Sequence, residues 1–178
     1  DATVSVLDTG IDASHPDFEA SKFAEFNGDG EVTSTEPRES DTRSNHGTHV
    51  SGTVSGGDAS GTSIGVAPEV ELLNGLVLDG GRGSAGAILG GMEWSVENGA
   101  DVISMSLGSE GATPFFIEPV RNAQDAGTMV IAASSNSGAG TSGSPGNVYD
   151  SLSVGASNEQ RNIADFSSGE EINTQSAW

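Results

Sequence analysis

His46-Gly47-Thr48-His49-Val50-Ser51-Gly52-Thr53 is the stretch on which the fold turns, read together with Val6-Leu7-Asp8-Thr9-Gly10-Ile11-Asp12. The later stretch sets a histidine at the head of a run of small residues. The earlier one sets an aspartate at the end of an apolar run. Thr3 to Leu7 reads as a short buried strand, which puts Asp8 at a strand end. In open parallel sheets ligands bind beyond the C-terminal ends of the strands. A carboxylate there can accept a hydrogen bond from an imidazole, fix its tautomer and stabilise its cation. Asp-Thr-Gly equally suits an ordinary turn. Gly47 permits close backbone approach, while Thr48, Ser51 and Thr53 keep the following helix thin.

Outward from these two stretches, apolar runs alternate with helical patterns. Val70 to Leu78, Val102 to Leu107, Thr128 to Ala133 and Leu152 to Ala156 read as further strands. Ala85, Ile88, Leu89, Met92 and Val96 fall on one helical face, with Ser84 placed to cap the start and Gly99 to close the end. A second helix is expected to end near Asp125 with Gly127 beyond it, kinked or shortened by Pro119. Strands alternating with helices predict an α/β fold with a mostly parallel sheet covered by helices on both faces. No repeat or linker divides the 178 residues, so a single domain over 1–178 is expected. Residues 27 to 45 read as the longest loop, and residues 134 to 147 as another, rich in Ser and Gly.

Charge narrows the partners. Twenty-six acidic residues face six basic ones, for a net charge of −20. Such a chain repels nucleic acid phosphates and anionic membranes. Self-repulsion of this size destabilises a compact state unless salt screens it, so a halophilic composition is the favoured reading, with an ordinary acidic secreted protein as the alternative. Cysteine is absent, leaving no disulfide to consider. No apolar run is long enough to span a bilayer. A secreted protein trimmed of its leader fits, and an extracellular location is expected; a fragment would look the same.

At the Asp8 and His46 stretches the chain resembles the subtilisin-like serine proteases, the subtilases of peptidase family S8. His15-Pro16-Asp17-Phe18, Gly65-Val66-Ala67-Pro68 and Phe166-Ser167-Ser168 agree in order, so the likeness runs from about Val4 to Ser168. It implies a subtilisin-like three-layer fold and hydrolysis of peptide bonds through an Asp/His/Ser set. Asp8 would orient the imidazole and His46 would serve as general base. Val130 to Gly138 resembles the strand and turn bearing the oxyanion asparagine, which makes Asn136 the donor. Here Ser134 and Ser135 stand where the family has Ala-Gly. Ser106, Leu107 and Gly108 resemble the wall of the primary specificity pocket. Gly81 and Gly83 belong to a segment like the edge that pairs with extended substrate. A protein or peptide substrate is the implied partner, with no cofactor required.

The serine of a Gly-Thr-Ser-Met-Ala type context is not found. Gly140-Thr141-Ser142 is followed by Gly143-Ser144-Pro145-Gly146, which suits a turn rather than a helix start. The chain therefore reads as the N-terminal part of a catalytic domain, truncated at its C-terminus, its partner the missing C-terminal part. By itself it is expected to be inactive. A serine-less homologue acting as a binding module is the alternative. A second alternative is a dinucleotide-binding domain, since Gly81-x-Gly83-x-x-Gly86 follows a strand and precedes a helix, with Glu110 beyond the next strand. Asp-Thr-Gly also resembles the aspartic protease motif, which would require a homodimer. His46 and His49 have spacing acceptable for a metal, although His49 is expected to be a buried structural residue. Asn27, Asp29 and Glu31 could hold calcium, but no metal site is assigned to them and solvated acids are the expectation.

Overall fold

In the computed structural model, residues 2–40 and 45–172 are described. Residues 41–44 of the expected loop 27–45, and the end of the tail beyond Gly169, lie outside them. The chain forms two compact units, Asp1–Ser104 and Met105–Trp178, each built on parallel strands.

The first unit comprises β1 (Thr3–Asp8), β2 (Lys22–Phe26), β3 (Val32–Ser34), α1 (His46–Ser55), β4 (Glu71–Leu76), α2 (Ala85–Glu97) and β5 (Val102–Met105). Its strands lie in the order β3-β2-β4-β1-β5. β1 runs parallel to β4, from Thr3 against Glu71 to Asp8 against Leu76. β5 and β2 join in parallel at either side, and β3 pairs antiparallel with β2. Side chains alternate across a strand, so β1 serves two cores. Val6 packs with Ile11, Phe23, Leu72 and Leu76 beneath Val50 and Val54 of α1. Leu7 and Ser5 face α2, where a Cβ on Gly91 would meet Leu7 Cδ2 at 3.1 Å and Ser5 shares a hydrogen bond with Ser95. The sheet is therefore the middle of three layers, and Asp8 shares its face with Val6, the face of α1.

Ser84 caps α2 by accepting the Ala87 N–H, and Gly99 closes it at φ +78°. The region expected as one long loop instead contains β3. Asn27 Oδ1 accepts the N–H groups of Asp29 and Glu31, and Gly30 sits at φ +86°. That turn sends the chain back antiparallel and makes a hairpin of it. Of the side chains that could hold calcium, Asn27 is thus spent on the turn, and its Nδ2 donates to Glu31 Oε2 at 3.1 Å.

The second unit comprises β6 (Ser109–Glu110), a 3₁₀ turn at Pro114–Phe116, α3 (Ile117–Asp125), β7 (Met129–Ala133), β8 (Gly143–Ser144) and β9 (Leu152–Val154). β7 and β9 are parallel, and β6 and β8 form a short antiparallel ribbon. Phe116, Val120, Ala123, Val130 and Ala132 are buried here. Pro119 does not kink α3. It falls in the first helical turn, where a missing N–H has no intrahelical acceptor to lose.

Candidate active site

The Asp8-Thr9-Gly10 turn at the C-terminal end of β1 receives the N-terminus of α1. Asn45 precedes that helix and makes no side-chain cap. The turn supplies what the cap does not. Thr9 Oγ1 accepts the Gly47 N–H at 2.9 Å, and Thr48 Oγ1 accepts the Asp12 N–H at 2.8 Å. Gly10 holds φ +88°, a conformation in which a Cβ would be strained. A Cβ on Gly47 would lie 2.2 Å from the Gly10 carbonyl oxygen, so the two backbones touch only because position 47 has no side chain.

This contact brings Asp8 and His46 together across 38 positions of sequence. Asp8 Oδ1 lies 2.7 Å from His46 Nδ1 and also accepts the Thr9 N–H at 2.8 Å. The Asp8 side chain is fully buried, while that of His46 is 49% exposed. A carboxylate in that position fixes the ring with the Nδ1 proton toward Asp8 and the Nε2 lone pair outward. Among the described residues nothing hydrogen-bonds Nε2. Asp8 Oδ2 is buried without a partner among them. The contribution of Thr9 was not anticipated; its signal lay in the Asp-Thr-Gly triplet, whose hydroxyl suits capping.

His49 is exposed, against the expectation of a buried residue. The buried positions of α1 are Gly47, Ser51, Gly52 and Ser55, and His49 lies beyond the edge of the face they form. Among the described residues no three His, Cys, Asp or Glu side chains cluster closely enough to hold a metal ion. Asp17 is tied to a neighbouring loop, accepting the Ser60 N–H at 3.0 Å. The Ser60 hydroxyl and N–H together hold the Asp17 carboxyl below its usual range. His15 stacks on Phe18, with ring centroids 4.8 Å apart.

Gly81 and Gly83 lie on the exposed turn before α2. The glycines of the Gly81-x-Gly83-x-x-Gly86 fingerprint have a packing role in part. A Cβ on Gly86 would lie 2.1 Å from the Gly28 carbonyl oxygen, and one on Gly90 would lie 2.3 Å from that of Gly30. The Ser84 hydroxyl also donates to Gly28 O, so the hairpin turn 27–30 lies along this end of the helix.

In the second unit, Asn136 is exposed on the loop after β7. Ser106 and Gly108 are exposed and Leu107 is buried between them. The residue before Asn136, Ser135, stands at φ +96°. Backbone bonds to β9 and to the loop after it fix it: the Ser134 N–H donates to Val154 O at 2.9 Å, and Ser135 O accepts the Ser168 N–H at 3.0 Å. Ser137 Oγ donates to Glu110 Oε1 at 2.9 Å. The Ser142 hydroxyl donates to the Glu170 carboxylate and accepts from Asn147 Nδ2.

A buried aspartate at a parallel strand end thus holds a half-exposed histidine at a helix N-terminus. The model described as the subtilase family matches residues 1–178, and the chain belongs to that family. Subtilisin DY of Bacillus licheniformis is 41% identical over 172 residues, 93% of this chain and 60% of its own length. Subtilisin Savinase of Lederbergia lenta is 39% identical over 165 residues, 92% and 58% respectively. The solved structure of an S41 psychrophilic protease matches with a TM-score of 0.80 and 31% identity, covering 97% of this chain and 60% of that one. The chain thus spans 58–60% of the length of these relatives.

Proposed function

We propose that this chain carries the orienting and proton-transfer part of a serine endopeptidase site. In this reading Asp8 holds the His46 ring and stabilises its cation. His46 Nε2 takes the proton of an attacking hydroxyl and returns it to the leaving amine. Asn136 donates its side-chain amide to the oxyanion. Gly81 and Gly83 pair with extended substrate, and Ser106, Leu107 and Gly108 wall the pocket for its side chain. The observation that carries this reading is the 2.7 Å contact between a buried carboxylate and a histidine whose second nitrogen has no partner among the described residues.

Ser142 is not the nucleophile in this proposal. Its hydroxyl is engaged by Glu170 and Asn147, and it lies in a loop rather than at a helix start. Ser84 opens α2, but its hydroxyl accepts the Ala87 N–H and donates to Gly28 O, and no other described serine begins a helix. The 178-residue chain should therefore form no acyl-enzyme. Incubation with a fluorophosphonate probe should leave it unlabelled, and peptides uncut. Stoichiometric label mapped to Ser142, or to any serine of the chain, would overturn this part of the proposal. The charge of −20 supports salt adaptation. Among the described residues no helix is long and apolar enough to cross a membrane.

A further inference from the structure

Ser135 occupies a backbone conformation that a side chain rarely adopts. Its φ of +96° lies where glycine is the ordinary occupant, and a residue held there stores strain that the surroundings must over-determine. They do so here. Its carbonyl oxygen takes the Ser168 N–H, the preceding N–H goes to Val154 O, and the Ser137 N–H goes to Ser168 Oγ at 3.0 Å. Yet the side chain gains nothing from the fold. Among the described residues the Ser135 hydroxyl has no hydrogen-bond partner, and the residue is half-buried.

What the side chain does is fill space. A Cβ built on Gly143 would come within 2.9 Å of Ser135 Cβ and 3.4 Å of its Oγ, with Ser109 O at 3.0 Å on the other side. A Cβ on Gly108 would lie 2.9 Å from Ser144 O. Gly143 of β8 and Gly108 just before β6 thus leave no room for a side chain of their own, and the Ser135 CH₂OH group stands against Gly143. If Asn136 binds the scissile carbonyl oxygen, the Cβ of that substrate residue lies about 3 Å from the same oxygen by covalent geometry. A side chain leaving on the Ser135 side of Asn136 would lie against Ser135 and Gly143.

Resting on the peptidase reading above, we infer that Ser135 is a specificity-determining residue. Its side chain shortens the pocket over Gly143 and selects peptides with a small side chain, such as Ala or Ser, on the residue that supplies the scissile carbonyl.

Product-like peptides test this without any turnover. The ¹⁵N-labelled 178-residue chain is titrated with acetyl-Ala-Ala-Ala and with acetyl-Ala-Ala-Phe, each bearing a free carboxylate, and Kd is read from amide shifts at Ser135, Asn136 and Gly143. The native chain should bind the Ala peptide at least tenfold more tightly. Ser135→Gly should abolish or invert that preference, and should melt no lower than the native chain because glycine relaxes at this φ. Ser135→Ala, which keeps the methyl bulk without the hydroxyl, should retain it. A native chain that binds both peptides equally, or a Ser135→Gly variant that keeps the tenfold ratio, overturns the inference and leaves the peptidase reading standing. Absence of any shift with either peptide, in every variant, overturns both.

Discussion

Replacing Gly47 with alanine puts one methyl group where the Asp8-Thr9-Gly10 turn meets α1. The added Cβ would sit 2.2 Å from Gly10 O and 3.1 Å from both the Gly10 and Thr9 nitrogens. Non-bonded carbon contacts settle near 3.5 Å, so the helix and the turn must part by about 1 Å. All the nearest atoms are backbone, and none can swing aside. The overpacking costs about 1–3 kcal/mol, and weakening the Thr9 cap on the Gly47 N–H adds about 1 kcal/mol. At roughly 2–4 °C per kcal/mol for a chain of this size, Tm should fall by roughly 5–15 °C. The Asp8–His46 contact of 2.7 Å would stretch to about 3.7 Å, which is no longer a hydrogen bond. Gly52→Ala in the same helix is the control. Its Cβ meets first the Phe18 ring edge at 3.2 Å, a side chain that can yield. The helix-propensity gain of about 1 kcal/mol offsets that contact, so Tm should move little. Thermal melts by circular dichroism, with the imidazole proton followed by NMR, read both effects. A Gly47→Ala chain that melts with the native one and keeps the Asp8–His46 proton would refute this description of the turn.

Acid should unfold the chain in a way that Asp17 makes partly specific. The Ser60 hydroxyl and N–H lower the folded pKa of Asp17 from the usual 3.8, and the Ser14 hydroxyl and N–H do the same for Asp12. A depressed folded pKa means that the unfolded chain binds more protons. The stabilisation is then complete above the unfolded value and is lost as pH falls through the folded one. Tm should fall as pH drops below about 4, and Asp17→Asn should shallow that limb while lowering Tm at pH 7; an unchanged acid limb would contradict the Ser60 link. Salt should act on the whole molecule. With 26 carboxylates against six cationic side chains, screening relieves repulsion, so Tm should rise substantially from dilute buffer to molar potassium chloride. A flat or falling curve would count against salt adaptation.

Much of this architecture was legible in the chain because its signals are local. The short apolar run of Val4, Val6 and Leu7 marked β1, and the spacing of Ala85, Ile88 and Met92 between Ser84 and Gly99 marked α2 with its caps. β2 escaped because Lys22-Phe23-Ala24-Glu25-Phe26 is short and mixes charge with aromatic residues. Its burial on the β4 side comes from pairing with residues 73 to 76, which no local window contains. β3 escaped with it, although Asn27-Gly28-Asp29-Gly30 is a turn signal between two extended runs. At the site, the motifs marked Asp8 and His46, but the cradle did not show. Thr9 and Gly47 meet across 38 residues, and their fit depends on a backbone approach that only coordinates display. Ser135 was visible as a serine where the family has glycine; that its backbone keeps the glycine conformation was not.

The proton on His46 is the most direct test of the site. In ¹⁵N-edited spectra of the full chain, with His46 assigned by His46→Gln, the neutral ring should carry its proton on Nδ1 and a bare lone pair on Nε2. The Nδ1 proton should exchange slowly and should disappear in Asp8→Ala. A proton on Nε2, or two tautomers in free exchange that Asp8→Ala leaves unchanged, would contradict an aspartate-held general base.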